Sequence, residues 1–106
     1  MTMSAPDVEI LWWEGCPSTD RCVADVRWAL AELGFAGAEV RLREIKTDEQ
    51  ARAVGFVGSP TILVDGVDPF PADGEPVALA CRIYRRRDGR ISPTPDPEDL
   101  RDALQR

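Results

Sequence analysis

The hydrophobic pattern of the chain begins with an apolar run over residues 8–13. Only Glu9 interrupts this run, which is typical of a strand that is covered on both faces of a sheet. After a turn at 14–17, residues 18–33 take up helical spacing, and Gly34 follows as a helix-ending residue. One face of the predicted helix carries a stripe of apolar residues, namely Cys22, Val26, Ala29, Leu30 and Leu33.

The middle of the chain predicts a second strand, a short helix and a third strand. Apolar and charged residues alternate over 40–45. Thr47 and Gln50 then have the spacing of a capping box, which marks the start of a helix. Pro60 leads directly into the apolar strand 61–64.

The last part of the chain predicts a loop, a fourth strand and a final helix. Proline and glycine punctuate residues 67–77, so we expect an irregular surface loop there. Apolar residues alternate over 80–85, which favours a fourth strand antiparallel to the third. Asp96 is the expected cap of a last helix that has Pro97 at its first position.

The resulting order, βαβαββα, predicts a single α/β domain over residues 1–106, with 1–7 flexible. Right-handed crossovers make the first two strands parallel neighbours and place helices on both faces of a central, four-stranded mixed sheet. A chain of 106 residues can bury one core without a disulfide or a structural metal.

Composition narrows the possible chemistry. Nineteen acidic and 13 basic residues give a net charge of -6, which disfavours nucleic acid as a partner. Histidine is absent, so any catalysis depends on cysteine or carboxylate groups. Three cysteines are too few for the disulfide framework of a small secreted domain, and there is no apolar stretch long enough to span a membrane. We therefore expect a soluble, cytoplasmic protein that binds no membrane and needs neither a cofactor nor a metal.

Two motifs resemble those of the thioredoxin-like superfamily, and the likeness covers nearly the whole chain. The first ends the apolar strand and the second opens the third strand: Trp12-Trp13-Glu14-Gly15-Cys16-Pro17 and Gly58-Ser59-Pro60-Thr61. More narrowly, the chain resembles small, mostly actinobacterial thioredoxin- and glutaredoxin-like proteins. That likeness rests on Gly-Cys-Pro, on Gly-Ser-Pro-Thr-Ile-Leu-Val-Asp-Gly, and on Asp68-Pro69-Phe70 and Cys81-Arg82-Ile83-Tyr84.

The resemblance implies a thioredoxin fold in which Cys16 is the attacking cysteine and faces a cis-proline at Pro60. A helix N-terminus favours the thiolate, which is the reactive form, although Glu14 and Asp20 oppose this effect. As a cis-proline, Pro60 is expected to leave the backbone groups of Ser59 free to bind an extended substrate. A trans proline at the start of an edge strand is the alternative.

Further substrate contacts are expected around this turn. We assign substrate binding to Ser59 and Pro60 together with Trp13, Thr61 and Arg85. Trp12 and Trp13 point to opposite faces of one strand, so one is expected in the core and the other beside Cys16. Guanidinium groups over 85–87 could stabilise a thiolate or bind a carboxylate, or they could belong to a solvated turn.

The second thiol of the reaction is left open by the sequence. Thr19 stands where the family usually has a resolving cysteine. Cys22 could resolve the mixed disulfide, but six residues of helix rise about 9 Å, whereas a disulfide requires Cα atoms within about 7 Å. Cys22 could equally be a core residue, and an external small thiol could resolve instead. Cys81 is expected to pack in the core, several residues from the edge where Cys16 lies.

Three functional hypotheses follow. The first is thiol–disulfide exchange with a protein or a low-molecular-weight thiol or disulfide, with Cys16 and Cys22 as candidate catalytic residues. The second is a non-catalytic module that binds a protein partner, or a soft metal ion through thiolates. The third, organomercurial cleavage, needs two thiolates and an acid, which only Cys16, Cys22 and Asp20 could supply, and it ranks last.

Overall fold

A computed structural model describes residues 5–70 and 76–105. It contains three helices and five strands in the order β1 Val8–Trp12, α1 Thr19–Glu32, β2 Val40–Glu44, α2 Asp48–Val54, β3 Thr61–Val64, β4 Tyr84–Arg85, β5 Ile91–Ser92 and α3 Pro97–Leu104. The chain is a small α/β protein, as the sequence pattern predicts.

The main sheet places β1 in the centre, between β2 and β3. β1 runs parallel to β2, with Val8 opposite Val40, and antiparallel to β3, with Val8 opposite Val64. Residues 8–11 of β1 are buried because apolar clusters pack against both faces of the sheet, which accounts for the nearly unbroken apolar run in the sequence.

Two apolar clusters cover opposite faces of this sheet. Val8 and Ile10 point into the larger one, which joins β1 to α1 and α3. Leu11 points into the smaller one. The larger cluster comprises Val8, Ile10, Cys22, Val26, Ala29, Leu30, Val40, Ile62, Val64, Leu100 and Leu104, and the smaller comprises Leu11, Ile45, Ala51 and Phe56.

The predicted fourth strand is largely absent from the described part of the chain. β4 is only Tyr84–Arg85, and it pairs with β5 in a separate two-stranded sheet rather than with β3. Side chains join this segment to β3 in place of a backbone ladder: the Tyr84 hydroxyl donates to the carbonyl of Pro60, and the Arg82 guanidinium donates to Thr61 Oγ1 at 3.3 Å. The chain therefore has the predicted α/β architecture, but its described residues form a three-stranded and a two-stranded sheet instead of one four-stranded sheet.

The N-terminal segment is tied to the sheet before β1 begins. Asp7 donates its N–H to Asp65 Oδ1 at 3.0 Å and accepts the N–H of Asp65 at 2.7 Å. The remainder of the predicted flexible region, residues 1–4, and the loop positions 71–75 lie outside the described residues. No helix in the described part is both long and apolar enough to cross a membrane.

Candidate functional site

Cys16 lies in the turn between β1 and α1, three residues before the helix begins. Its N–H donates to the Trp13 carbonyl at 3.0 Å, which closes the turn. Its thiol donates to the carbonyl oxygen of Ser59 at 3.3 Å, and the residue as a whole is only 7% exposed. The predicted meeting of Cys16 with the turn before β3 is therefore present in the structure.

The Ser59–Pro60 peptide bond is cis, which confirms the prediction for this turn. The hydroxyl of Ser59 accepts a 3.0 Å hydrogen bond from the N–H of Trp13. The turn that carries Cys16 and the turn that carries Pro60 are thus bonded both through the thiol and through this serine.

The backbone of Ser59 is not free for a substrate, contrary to expectation. Its N–H donates to the carbonyl of Ala80, and its carbonyl accepts the N–H of Arg82, both at 2.8 Å. Cys81, between these two residues, forms a parallel bridge with Ser59. A segment of the chain itself occupies the position expected for an extended substrate, because the chain returns to this turn after β3 instead of extending the sheet.

Cys81 is the clearest correction to the sequence prediction. It is exposed rather than buried in the core. Partial desolvation raises the pKa of Cys81, and so do a side-chain hydrogen bond with Cys16 and the repulsion between the two thiolate charges. Cys81 is the bridge partner of Ser59, whose carbonyl oxygen accepts the Cys16 thiol, so the two cysteines contact the same residue.

Cys22, the other candidate catalytic cysteine, is buried. It is fully buried in the larger apolar cluster, and its N–H donates to the Ser18 carbonyl at 3.0 Å in an intact first turn of α1. Burial raises the pKa of Cys22 to about 12, with smaller contributions from the charges of Asp25 and Cys16. In this conformation Cys22 is a core residue, one of the two alternatives that the sequence left open.

A shallow cavity of about 300 Å³ opens beside Cys16, and its lining comprises Trp12, Cys16, Pro17, Thr19, Asp20 and Leu42. Trp12 is thus the tryptophan at this cavity, whereas the ring of Trp13 covers Gly15, where an added Cβ would lie 2.3 Å from Trp13 Cη2. The buried hydroxyl of Thr19 has no hydrogen-bond partner among the described residues. The cavity therefore combines apolar walls with one unpaired hydroxyl near the thiol.

The other predicted substrate contacts have mainly internal partners. The Thr61 hydroxyl donates to the carbonyl of Gly58 at 2.6 Å, and Pro60 is fully buried. Arg85 is exposed and lines a different depression, whose other walls include Phe70, Tyr84 and Asp99. Trp13 and Ser59 are thus hydrogen-bonded to Cys16. Pro60 and Thr61 directly follow Ser59 in the chain, whereas Arg85 lies at a different depression.

The sequence missed the role of Arg82. Its side chain is 4% exposed, with Nη1 2.7 Å from Asp68 Oδ2 and Nη2 2.7 Å from the carbonyl of Phe70. The guanidinium also lies over the ring of Tyr84, 4.6 Å from its centroid. Two of the motifs named in the resemblance, 68–70 and 81–84, meet at Arg82, and the sequence analysis assigned no role to either of them.

Gly58 explains how the segment 80–82 comes so close to the turn. A Cβ at this position would lie 2.8 Å from the Cα of Arg82, and the φ angle of Gly58 is +132°. Both the close approach and the backbone conformation therefore require glycine.

Comparison of the chain with models of protein families, with curated proteins and with solved structures finds no match. Within the described residues, no three cysteine, aspartate or glutamate side chains are grouped so that they could hold a metal ion.

Proposed function

We propose that the chain is a thioredoxin-like protein that carries out thiol–disulfide exchange with Cys16 as the nucleophile. The observation that supports this most directly is the contact between the Cys16 thiol and the carbonyl of Ser59 at a cis Ser59–Pro60 bond. That contact joins two motifs that are far apart in the sequence, and both belong to the resemblance described above.

The proposed fold assignment rests on β1, β2 and β3. β1 and β2 are parallel and are connected through α1, and β3 pairs with β1 in the antiparallel direction. This arrangement is the one expected for the first part of a thioredoxin-like domain. We interpret residues 80–85 as the counterpart of the fourth strand, displaced from the edge of β3 and attached to it through the side chains of Arg82 and Tyr84.

The proposed reaction begins at the Cys16 sulfur. The thiolate of Cys16 attacks one sulfur of a disulfide substrate, a new sulfur–sulfur bond forms, and the other substrate sulfur departs as a thiolate. The cavity beside Cys16 provides an apolar wall at Trp12 and Leu42 for the group that becomes attached. A low-molecular-weight disulfide or a protein disulfide with an exposed sulfur could reach it.

The proposed location is the cytoplasm. Three cysteines are too few for the disulfide framework of a small secreted domain, which favours a compartment that is kept reducing. Exchange at Cys16 would then run in the direction that reduces the substrate.

The test is a reaction of the reduced protein with 2-hydroxyethyl disulfide, followed by intact-mass and peptide analysis. We expect Cys16 to react first, and Cys16→Ser to abolish the reaction while circular dichroism shows an unchanged fold. Equal consumption of the disulfide by wild type and Cys16→Ser would contradict the proposal. A protein that only binds a soft metal ion, tested with Cu⁺, would show metal uptake without this exchange.

A further inference from the structure

We propose that Cys81, rather than Cys22, is the thiol that resolves the mixed disulfide at Cys16, so that the reaction ends with a Cys16–Cys81 disulfide within the chain. This inference rests on the proposed exchange activity of Cys16. It assigns a role to a cysteine that the sequence placed in the core.

The geometry converges on one carbonyl group. The oxygen of Ser59 accepts both the thiol of Cys16, at 3.3 Å, and the N–H of Arg82, at 2.8 Å. Cys81 directly precedes Arg82 and is the bridge partner of Ser59. The Cys16 sulfur and the Cys81 backbone are thus both adjacent to the same peptide group.

Exposure separates the two candidate thiols. Cys81 is exposed, so a thiolate can form there in contact with water and approach Cys16 by rotation about χ1. Cys22 is fully buried in the core cluster. To reach Cys16, it would have to leave that cluster and unwind the first turn of α1, where its N–H is bonded to Ser18.

The segment that carries Cys81 is held in place on both sides. Ala80 and Arg82 are bonded to Ser59 through the backbone, and the Arg82 side chain is anchored to Asp68 and to the carbonyl of Phe70. A thiol fixed beside its target has a high effective concentration, which favours intramolecular attack over attack by an external thiol.

The Cys81 thiolate attacks the Cys16 sulfur of the mixed disulfide, a Cys16–Cys81 bond forms, and the attached group departs as a thiolate. The substrate disulfide has then gained two electrons and two protons and become two thiols, and the chain has lost two electrons and two protons. A dithiol, or two equivalents of a monothiol, returns the chain to its reduced state.

Peptide mapping distinguishes the possible disulfides because trypsin separates the three cysteines. Cleavage after arginine and lysine places Cys16 in peptide 1–21, Cys22 in 22–27 and Cys81 in 53–82. The reduced full chain is treated with one equivalent of 2-hydroxyethyl disulfide, quenched with acid at successive times and digested without reduction. Wild type, Cys81→Ser and Cys22→Ala are compared in parallel.

We expect wild type to link peptide 1–21 to 53–82 and to lose two hydrogens in intact mass. Cys81→Ser should instead retain the mixed disulfide on 1–21, with a lifetime about tenfold longer or more, since the adjacent thiol is missing. Cys22→Ala should still form the Cys16–Cys81 link. If Cys22→Ala does not fold, the wild-type and Cys81→Ser results decide the question.

A link between 1–21 and 22–27 in wild type would overturn the role of Cys81, and so would equal lifetimes of the mixed disulfide in wild type and Cys81→Ser. In both cases the exchange activity of Cys16 would remain. If Cys81→Ser forms no mixed disulfide at Cys16 and wild type forms no link, the proposed function itself fails.

Discussion

Arg82 and Asp68 form an ion pair with 2.7 Å between Nη1 and Oδ2, in which the arginine side chain is 4% exposed. This pair connects the segment that follows Cys81 to the loop that follows β3. In the described residues no fourth strand is paired with β3. The ion pair therefore helps to hold this segment against the sheet, as the hydrogen bonds of a fourth strand would. The position of Cys81 next to Ser59 thus depends on a contact formed by the following residue, Arg82.

Replacing Arg82 by alanine should lower the free energy of unfolding by about 1–3 kcal/mol, since it leaves the Asp68 carboxylate and the Phe70 carbonyl without their donor. Urea denaturation followed by circular dichroism measures this loss. Arg85→Ala is the matched control: Arg85 is exposed in the adjacent strand, and we expect a change within about 0.5 kcal/mol. Similar effects of the two substitutions would mean that the ion pair adds little stability.

Gly58→Ala should destabilise the protein by about 1–3 kcal/mol, because a Cβ meets the backbone of Arg82 and φ is unfavourable for alanine. Gly37→Ala is the control, as no atom lies within 4 Å of a Cβ at that position. We expect it to be tolerated within about 0.5 kcal/mol. Thermal unfolding of both variants compares them, and a Gly58→Ala protein as stable as Gly37→Ala would argue against the close approach.

The burial of Cys22 predicts a loss of stability at alkaline pH. Its pKa rises from 9.0 to about 12 on folding, so the folded state keeps the proton that the unfolded state loses. The stabilisation is fully present below pH 9, and it is lost between pH 9 and about 12, at up to about 1.4 kcal/mol per pH unit.

Denaturation of wild type and Cys22→Ala at a series of pH values measures this contribution, since other groups contribute equally to both proteins. The free energy of unfolding of wild type should fall more steeply above pH 9 than that of Cys22→Ala. Parallel curves would show that Cys22 is accessible to solvent in the native state.

The position of Cys16 near Cys81 predicts a change in the titration of Cys81. In wild type desolvation raises the pKa of Cys81 above its ordinary value, and a hydrogen bond with Cys16 and the charge of Cys16 raise it further. Cys16→Ser removes that charge, so Cys81 should ionise at lower pH. The rate of iodoacetamide labelling of peptide 53–82 as a function of pH reports this shift, with Cys22→Ala as a control that leaves the midpoint unchanged.

The same midpoint in wild type and Cys16→Ser would mean that the two thiols do not interact in solution.

In wild type, iodoacetamide should label Cys22 last of the three cysteines. Only about one thiol in 10,000 is ionised at pH 8 when the pKa is about 12, and the side chain is enclosed in the core.

Local sequence signals were sufficient for most of the helices and strands. The Thr47 side chain accepts the N–H of Gln50 at 3.1 Å, and the Asp96 side chain accepts that of Glu98 at 2.9 Å. Both caps were predictable because the donor and acceptor are only a few residues apart. The apolar run of β1 was equally predictable, since burial on both faces leaves no alternation in the sequence.

Part of the candidate site could also be predicted from the sequence. The cis bond at Pro60 and its approach to Cys16 were expected from two short motifs and a resemblance, and the structure contains both. The sequence could not choose between core and redox roles for Cys22, because a small apolar thiol on the inner face of a helix suits either role.

Only the tertiary structure decided where residues 80–85 lie. Their alternating pattern is compatible with a strand at the edge of β3, but it does not specify which backbone groups they bond, and here the partner is Ser59. The burial of Arg82 depends on Asp68 and the Phe70 carbonyl meeting its guanidinium, which no local pattern reports. Cys81 lies next to Ser59, which the Cys16 thiol also contacts, because of these long-range bonds, and such bonds form only when residues far apart in the sequence meet in the fold.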